Sequence, residues 1–113
     1  MDRVETYRNY IQQLLTERAE RSRQSPSQVE AQTIFDTVRD HYQLVFVGWK
    51  HNGLRDYGCL LHLDIKADKI WIQYDGTEGG IAYKLVDLGV PQDDIVLGYQ
   101  PEEVRPHTEF AVG

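Results

Sequence analysis

The stretch "YGCLLHLDIKADKIWIQY", residues 57 to 74, constrains the fold more than any other part of the sequence. Apolar and polar residues alternate on both sides of Ala67-Asp68, which is the pattern of two antiparallel strands joined by a two-residue turn. The register pairs apolar residues of the two strands on one face: Ile65 with Ile70, Leu63 with Ile72, and Leu61 with Tyr74. That face should form the core of the protein.

The opposite face of this predicted hairpin is amphipathic, since the same register pairs Asp64 with Trp71 and His62 with Gln73. The stretch "YQLVFVGWK", residues 42 to 50, is the predicted neighbouring strand, and it adds Val45, Val47 and Trp49 to this face. A fully solvated face would be mostly polar. We therefore expect the protein's own helices to cover this face, with another protein chain as the alternative.

Two stretches have the spacing of amphipathic helices. From Asp2 onward apolar residues recur every three or four positions, which predicts an N-terminal helix of about five turns. A second helix is predicted near residues 78 to 88, and Gly89 followed by Pro91 should end it. Serine, glutamine and proline in "RSRQSPSQ", residues 21 to 28, predict a linker between the first helix and the sheet.

These elements predict an α+β fold in which an N-terminal helix and a second helix near the C-terminus pack on an antiparallel sheet of about four strands. The strands are predicted at residues 42 to 50, 57 to 66 and 69 to 75, and residues 29 to 35 are the candidate for the fourth. A chain of 113 residues suits one domain that spans residues 1 to 113.

Charge and cysteine content limit the classes of function. The formal net charge is −6, so the protein as a whole repels phosphate backbones, and direct nucleic-acid contact is disfavoured. Cys59 is the only cysteine, which rules out an internal disulfide and favours a reducing, cytoplasmic location. The sequence contains no run of about 18 apolar residues, so we expect no membrane span.

The segment "DGTEGG", residues 75 to 80, raises the question of a phosphate-binding loop. Its glycines fit neither standard spacing, and Lys84 lies a full turn inside the predicted helix instead of at its start. Asp75 and Glu78 also place negative charge where a phosphate would bind. We therefore predict that Asp75, Thr77 and Glu78 cap the second helix, and that the loop binds no cofactor.

A metal site deserves a test because His62, Asp64 and Asp75 lie on adjacent predicted strands. Divalent cations favour carboxylate pairs, and two-metal nucleases are built from them. In the predicted hairpin, however, Asp64 lies beside the turn and Asp75 lies at the far end, roughly 13 Å away at the rise of a strand. No shared metal ion is expected, and a metal-dependent nuclease is kept only as an alternative function.

Catalysis by a nucleophile is also not predicted. Cys59 and His62 are three residues apart on a strand and should point to opposite faces, so they should not form a catalytic dyad. The stretch "TVRDHYQL" contains Asp40 and His41 without an obvious nucleophile, and we interpret it as a turn. No catalytic residue is assigned.

Aromatic and basic residues surround the predicted turn at residues 51 to 53. Such interleaving is typical of nucleic-acid readers, but tryptophan, tyrosine and arginine are equally typical of protein interfaces. The acidic charge of the chain favours contact with protein. The candidate protein-interaction residues are Trp49, Arg55, Tyr57 and Trp71.

Several strings together resemble one family: "QTIFDTVRDHYQL", "GW", the block from residue 58 to 99, and the terminal "FAVG". They resemble the XisI family of cyanobacterial fdxN-element excision controlling factors. The resemblance implies an accessory, non-enzymatic role in programmed DNA rearrangement, together with a site-specific recombinase and a companion protein of the XisH family. It supplies no catalytic residues. The predicted partners are therefore an XisH-type companion and a second copy of the chain, with direct binding to DNA as a directionality factor as the alternative.

Overall fold

The structure, a computed structural model, describes residues 2–24 and 28–113. The predicted α+β class is confirmed, but the sheet has five strands and not four. Residues 21 to 23 of the predicted linker belong to the first helix instead, and residues 25 to 27 lie outside the described residues. The α-helices and strands in chain order are α1 (Arg3–Arg23), β1 (Val29–Asp36), β2 (His41–Trp49), β3 (Arg55–Lys66), β4 (Lys69–Asp75), α2 (Ile81–Leu88) and β5 (Ile95–Leu97). Short 3-10 helices lie at Gln92–Asp94 and Arg105–His107.

The strands lie in the order β1-β2-β3-β4-β5, so each strand pairs with its neighbour in sequence. The first four are antiparallel, as predicted, whereas β5 runs parallel to β4. The parallel pairing follows from α2, because a helical crossover returns the chain to the same end of the sheet. The sheet is therefore mixed, and its fifth strand has only three residues.

The turn between β3 and β4 has the predicted two-residue form. Ala67 and Asp68 both have positive φ, 51° and 64°, which is the backbone of a type I′ hairpin. Next to this turn the predicted register is confirmed for three pairs: Ile65 with Ile70, Asp64 with Trp71, and Leu63 with Ile72.

Beyond Leu63 the predicted register is wrong, because a bulge at Gln73 adds one residue to β4. His62 therefore pairs with Tyr74 instead of Gln73, and Leu61 pairs with Asp75 instead of Tyr74. A bulge keeps the strands paired while it shifts one of them by a residue. The alternation of the sequence does not reveal such a shift.

A second bulge, at Leu60, lies between β2 and β3. Val45 pairs with Cys59, whereas Leu44 pairs with Leu61. The extra residue reverses the alternation of sides along β3, so Cys59 lies on the same face of the sheet as His62. The prediction that these two residues point to opposite faces is therefore wrong.

Both helices pack on one face of the sheet, which we call the covered face. The side chains of Leu61, Leu63, Ile70 and Ile72 are at most 1% exposed there. Burying a side chain of this size stabilises the folded state by about 2 to 3 kcal/mol relative to exposure. The helices contribute to the same cluster the residues Tyr7, Ile11, Leu14, Leu15, Ala19, Ile81, Ala82 and Leu85.

Neither α1 nor α2 lies on the opposite face, which we call the open face. It carries the side chains of Ile34, Val45, Val47, Trp49, Tyr57, Cys59 and their polar neighbours, as the strand register requires. The expectation that these two helices cover this face is therefore wrong, although Arg105 of the 3-10 helix Arg105–His107 reaches Trp71 near one end of it. Neither helix found in the described ranges is both long enough and apolar enough to cross a membrane.

The ends of the helices have local causes. At the start of α1, the Asp2 carboxylate accepts a hydrogen bond from the Val4 amide at 3.1 Å. At the end of α2, Gly89 has a φ of 112°, and the left-handed conformation that ends the helix there favours glycine. The helix begins at Ile81 instead of residue 78, because Gly80 has a φ of 80° and cannot belong to it.

The predicted turn between β1 and β2 is found at residues 37 to 40, and an ion pair ties it to α1. Arg8 donates to both carboxylate oxygens of Asp40, at 2.8 and 3.1 Å, and the buried Tyr42 hydroxyl donates to the same carboxylate at 2.8 Å. These hydrogen bonds, from Arg8 above all, lower the pKa of Asp40. They fix the position of α1 on the covered face.

Candidate binding surfaces

Three of the four predicted interaction residues form one cluster at the end of the open face. Trp49 and Tyr57 remain 54% and 73% exposed. Arg55 is the cross-strand partner of Trp49, and its guanidinium carbon lies 5.1 Å from the centroid of the indole ring. This stacking holds the arginine and the tryptophan together at the surface. We call Trp49, Arg55 and Tyr57 the aromatic patch.

The aromatic patch continues along the open face over apolar side chains. Val47 pairs with Tyr57, and Val45 pairs with Cys59. Ile34 on β1 lies on the same face and is 49% exposed. The open face therefore offers a continuous apolar strip with aromatic side chains at one end.

Cys59 is the nucleophilic side chain on this face, and its surroundings do not activate it. Burial raises the pKa of its thiol above the ordinary value, and the thiol donates a weak hydrogen bond to the Leu61 carbonyl at 3.1 Å. Reactive cysteines have lowered pKa values, because the thiolate is the nucleophile. Cys59 is therefore interpreted as a packing residue and not as a nucleophile.

Trp71, the fourth predicted interaction residue, lies apart from the aromatic patch. It pairs with Asp64 near the opposite end of the face. The Lys66 ammonium and the Arg105 guanidinium lie 4.3 and 5.2 Å from the centroid of its ring. Its indole Nε1 is buried and has no hydrogen-bond partner among the residues that the structure describes. Trp71 is thus covered by the protein's own cations.

Basic residues gather on the other side of the sheet, at the C-terminal half of α1. A cleft of about 440 Å³ is lined by Arg18, Arg21, Lys50 and His51. A second cleft, of about 520 Å³, shares both arginines and adds Lys84 and the loop at residues 76 to 79. The sheet therefore divides the aromatic and basic residues that adjoin each other in sequence: Lys50 and His51 line a cleft beside α1, and Trp49 and Tyr57 lie on the open face.

Of the three predicted capping residues, Asp75 accepts a hydrogen bond from the first amide of α2, whereas Thr77 donates to Asp75. The Asp75 carboxylate accepts hydrogen bonds from the Ile81 amide at 2.8 Å and from the amide and hydroxyl of Thr77 at 2.8 and 2.5 Å. Both carboxylate oxygens of Asp75 thus accept hydrogen bonds from within the protein. Glu78 lines the larger cleft instead. Asp64 and Asp75 also remain at opposite ends of the hairpin, as predicted.

A cluster that sequence reasoning missed lies on the open face beside Trp71. His41 Nδ1 and His62 Nε2 lie 2.9 and 3.0 Å from the same oxygen, Oδ1 of Asp64. The other oxygen, Oδ2, accepts a hydrogen bond from Gln73 at 3.2 Å. Asp64 is buried, whereas the side chain of His41 is 56% exposed. The missing signal was the register of β2, which places its first residue, His41, directly opposite Asp64.

The geometry defines a small α+β protein whose candidate sites are binding surfaces on the two sides of one sheet. The sequence matches the family described as XisI protein over residues 1–112. The chain therefore belongs to the XisI family, which confirms the resemblance found in the sequence.

Two solved structures are similar to this chain over nearly its whole length. A XisI-like protein from Anabaena variabilis ATCC 29413 is 41% identical, with a TM-score of 0.89 over 97% of this chain and 99% of that chain. The fdxN element excision controlling factor XisI from the same strain is 34% identical, with a TM-score of 0.85 over 99% of this chain and 100% of that chain. No curated protein matches the sequence.

Proposed function

We propose that this protein is a non-catalytic accessory factor in the excision of a DNA element by site-specific recombination, and that it acts by binding a companion protein of the XisH type. Membership of the XisI family and the name of the Anabaena relative support the role in excision. The observation that carries the binding mechanism is the exposed aromatic patch on a sheet face that neither α1 nor α2 covers.

The composition of the aromatic patch suits a protein interface. Tryptophan, tyrosine and arginine are enriched among the few residues that supply most of the binding energy at such interfaces. Tryptophan and tyrosine also bury large areas at low cost in side-chain entropy. Trp49 is already held by Arg55, so little freedom is lost when a partner covers it. The net charge of −6 works against a nucleic-acid ligand on this surface. A second copy of the chain is the other occupant that this surface suits.

Co-purification with the companion from a host that expresses both proteins tests this proposal. The double variant Trp49→Ala/Tyr57→Ala should retain at least tenfold less companion than the unchanged protein, because both anchors of the surface are removed. Tyr99→Ala is the matched control, since Tyr99 is also exposed, at 49%, but lies outside the patch. It should retain the companion fully.

Two results would contradict the proposal. The first is equal retention by the double variant and the Tyr99 control. The second is loss of retention in both, which would indicate a general effect of removing surface aromatics. Light scattering of the unchanged protein alone, at the same concentration, separates a companion from a second copy as the occupant: a dimer that the double variant converts to a monomer identifies self-association.

The alternative function, direct binding of DNA, is favoured by a different observation. Arg18 and Arg21 lie between Lys50 and His51 on one side and Lys84 on the other, so cations line both clefts next to α1. Each cleft is also lined by one carboxylate, Asp56 or Glu78, so positive charge predominates there in spite of the acidic composition. A nucleic-acid backbone would lie along α1, on the side of the sheet opposite the aromatic patch.

Mobility shifts with DNA from the ends of the element, measured at several salt concentrations, test this alternative. If the clefts bind phosphates, Arg18→Gln/Arg21→Gln should reduce the slope of log affinity against log salt by about 2, roughly one for each phosphate that the variant no longer neutralises. Arg55→Ala should leave the slope unchanged, because Arg55 belongs to the other face. A shift that depends on Arg55 instead would move the DNA site to the turn after β2.

The rival enzymatic function is a metal-dependent nuclease that uses Asp64, Asp75 and Glu78. Asp64 is held by two histidines, and Asp75 by the start of α2, so these carboxylates do not converge on one position. Plasmid incubated with the protein and magnesium or manganese should therefore stay intact. Cleavage that is lost in Asp75→Ala would favour the nuclease over an accessory factor.

A further inference from the structure

The hydrogen-bonded cluster on the open face has the make-up of a metal site. His41, His62 and Asp64 each offer one ligand atom, and these three atoms lie within 4.8 Å of one another. Ligand atoms bound at about 2.1 Å to one tetrahedral ion lie roughly 3.4 Å apart. Asp64 Oδ1 already lies 2.9 and 3.0 Å from the two imidazole nitrogens. Side-chain adjustments of about 1 Å would therefore place all three atoms around one ion.

We infer that His41, His62 and Asp64 form a binding site for a borderline divalent cation of the Zn²⁺ class. Two imidazoles and one carboxylate suit Zn²⁺, Co²⁺ and Ni²⁺, whereas Mg²⁺ and Ca²⁺ prefer ligand sets made of oxygen. Three protein ligands also leave at least one coordination position free. Since the side chain of His41 is 56% exposed, solvent reaches the cluster from the open face.

The residues around the cluster hold the ligand atoms of Asp64 in position. Gln73 holds the second oxygen of Asp64, which leaves Oδ1 directed at the histidines. Partners of this kind orient metal ligands and commonly change affinity 10- to 100-fold when they are removed. The bulge in β4 places Gln73 here, and Gly98 leaves room for its amide, since a Cβ at Gly98 would lie 2.8 Å from Gln73 Oε1.

The sequence pattern predicted no metal ion because the two carboxylates it offered, Asp64 and Asp75, lie at opposite ends of the hairpin. The inferred site does not use Asp75. It takes its third ligand from His41, on a strand whose pairing with Asp64 the sequence pattern did not predict. It also differs from a two-metal nuclease centre, which is built from several carboxylates.

Titration of the full chain with Zn²⁺ by calorimetry, and with Co²⁺ by visible absorption, tests the inference once bound metals and any histidine tag have been removed. We expect one ion per chain, a Co²⁺ spectrum with the strong bands of tetrahedral coordination, and a higher melting temperature with Zn²⁺ but not with Mg²⁺. His41→Ala should weaken Zn²⁺ binding at least 100-fold, and Gln73→Ala 10- to 100-fold.

His107→Ala is the matched control, because His107 lies in the C-terminal segment outside the cluster. It should bind Zn²⁺ like the unchanged protein. His41 is exposed, so its replacement should leave the fold intact, and circular dichroism of both variants checks this. The inference is overturned if the unchanged protein binds no Zn²⁺ or Co²⁺ at a one-to-one ratio, or if His41→Ala binds as tightly as His107→Ala.

Discussion

The covered and open faces of the sheet are built from alternate residues of the same strands, yet they differ in what they do. On the covered face, Leu63 and Ile72 are sealed beneath two helices. On the open face, Trp49 and Tyr57 are larger, aromatic side chains, but they remain more than half exposed. One face stabilises the fold, and the other keeps large side chains available for contact. A hydrophobic pattern in a strand therefore indicates burial only when another helix, strand or chain packs on that face of the sheet.

The largest expected effect is on the free energy of unfolding, when isoleucine is replaced by alanine on each face in turn. Ile72→Ala should lower the free energy of unfolding by about 3 to 4 kcal/mol, because it leaves a cavity beneath the helices. Ile34→Ala on the open face should cost less than about 1 kcal/mol, since that side chain is 49% exposed. Urea unfolding measures both losses of stability, provided that the slope of the unfolding free energy against urea concentration does not change. Similar losses at the two positions would show that something covers the open face.

The next effect concerns the ion pair that holds α1 on the covered face. Asp40→Asn should cost about 2 kcal/mol near neutral pH, because it weakens the hydrogen bonds from Arg8 and from the buried Tyr42 hydroxyl. Asparagine tolerates the φ of 61° at this position, so the turn itself should persist. Asp68→Asn, at an exposed turn position that also has positive φ, is the control and should change stability little.

The same pair predicts how this difference depends on pH. The folded state lowers the pKa of Asp40, so the unfolded chain binds a proton more readily as the solution becomes acidic. The stabilisation is complete above the unfolded pKa of about 4 and is lost as the pH falls through the lower folded value. Urea unfolding between about pH 7 and about pH 2.5 should show the two proteins converging. A constant difference would contradict the assignment to this carboxylate.

A smaller effect is expected where the chain leaves the sheet to form α2 on the covered face. Asp75→Ala should cost about 1 kcal/mol or more, because Asp75 accepts from the Ile81 amide and from Thr77. Thr77→Ala should cost about 1 kcal/mol or less, and Glu78→Ala serves as the control with little expected change. Added ATP should not raise the melting temperature of the unchanged protein. A clear rise with ATP would revive a phosphate-binding role for the loop.

The smallest expected effect concerns Trp71 and tests whether the binding surface extends beyond the aromatic patch. Trp71→Phe should change stability by less than about 1 kcal/mol, because the lost ring area is offset by removal of the buried, unpaired indole N–H. It should also leave companion binding unchanged if the aromatic patch is the interface. Thermal unfolding and the co-purification assay measure the two effects. A loss of companion binding would extend the interface to Trp71.

Sequence alone predicted the elements with long, regular patterns. The hairpin turn at Ala67-Asp68, the N-terminal helix and the glycine that ends α2 all follow from local spacing and backbone preferences. The fifth strand did not, because three apolar residues are too few to define a period. The candidate sites depended on details with no local signal: the bulges at Leu60 and Gln73 decide which side chains share a face.

The order of the strands has a consequence for how the chain folds. Because every strand pairs with its sequence neighbour, most of the sheet assembles from contacts that are close in sequence, which favours rapid folding. The hydrogen bond from Tyr7 to Asp94 joins residues 87 positions apart and should form late. Tyr7→Phe should therefore speed unfolding and leave the folding rate nearly unchanged in stopped-flow experiments. Helix α1, which contains Tyr7, would then be the last element to pack on the sheet.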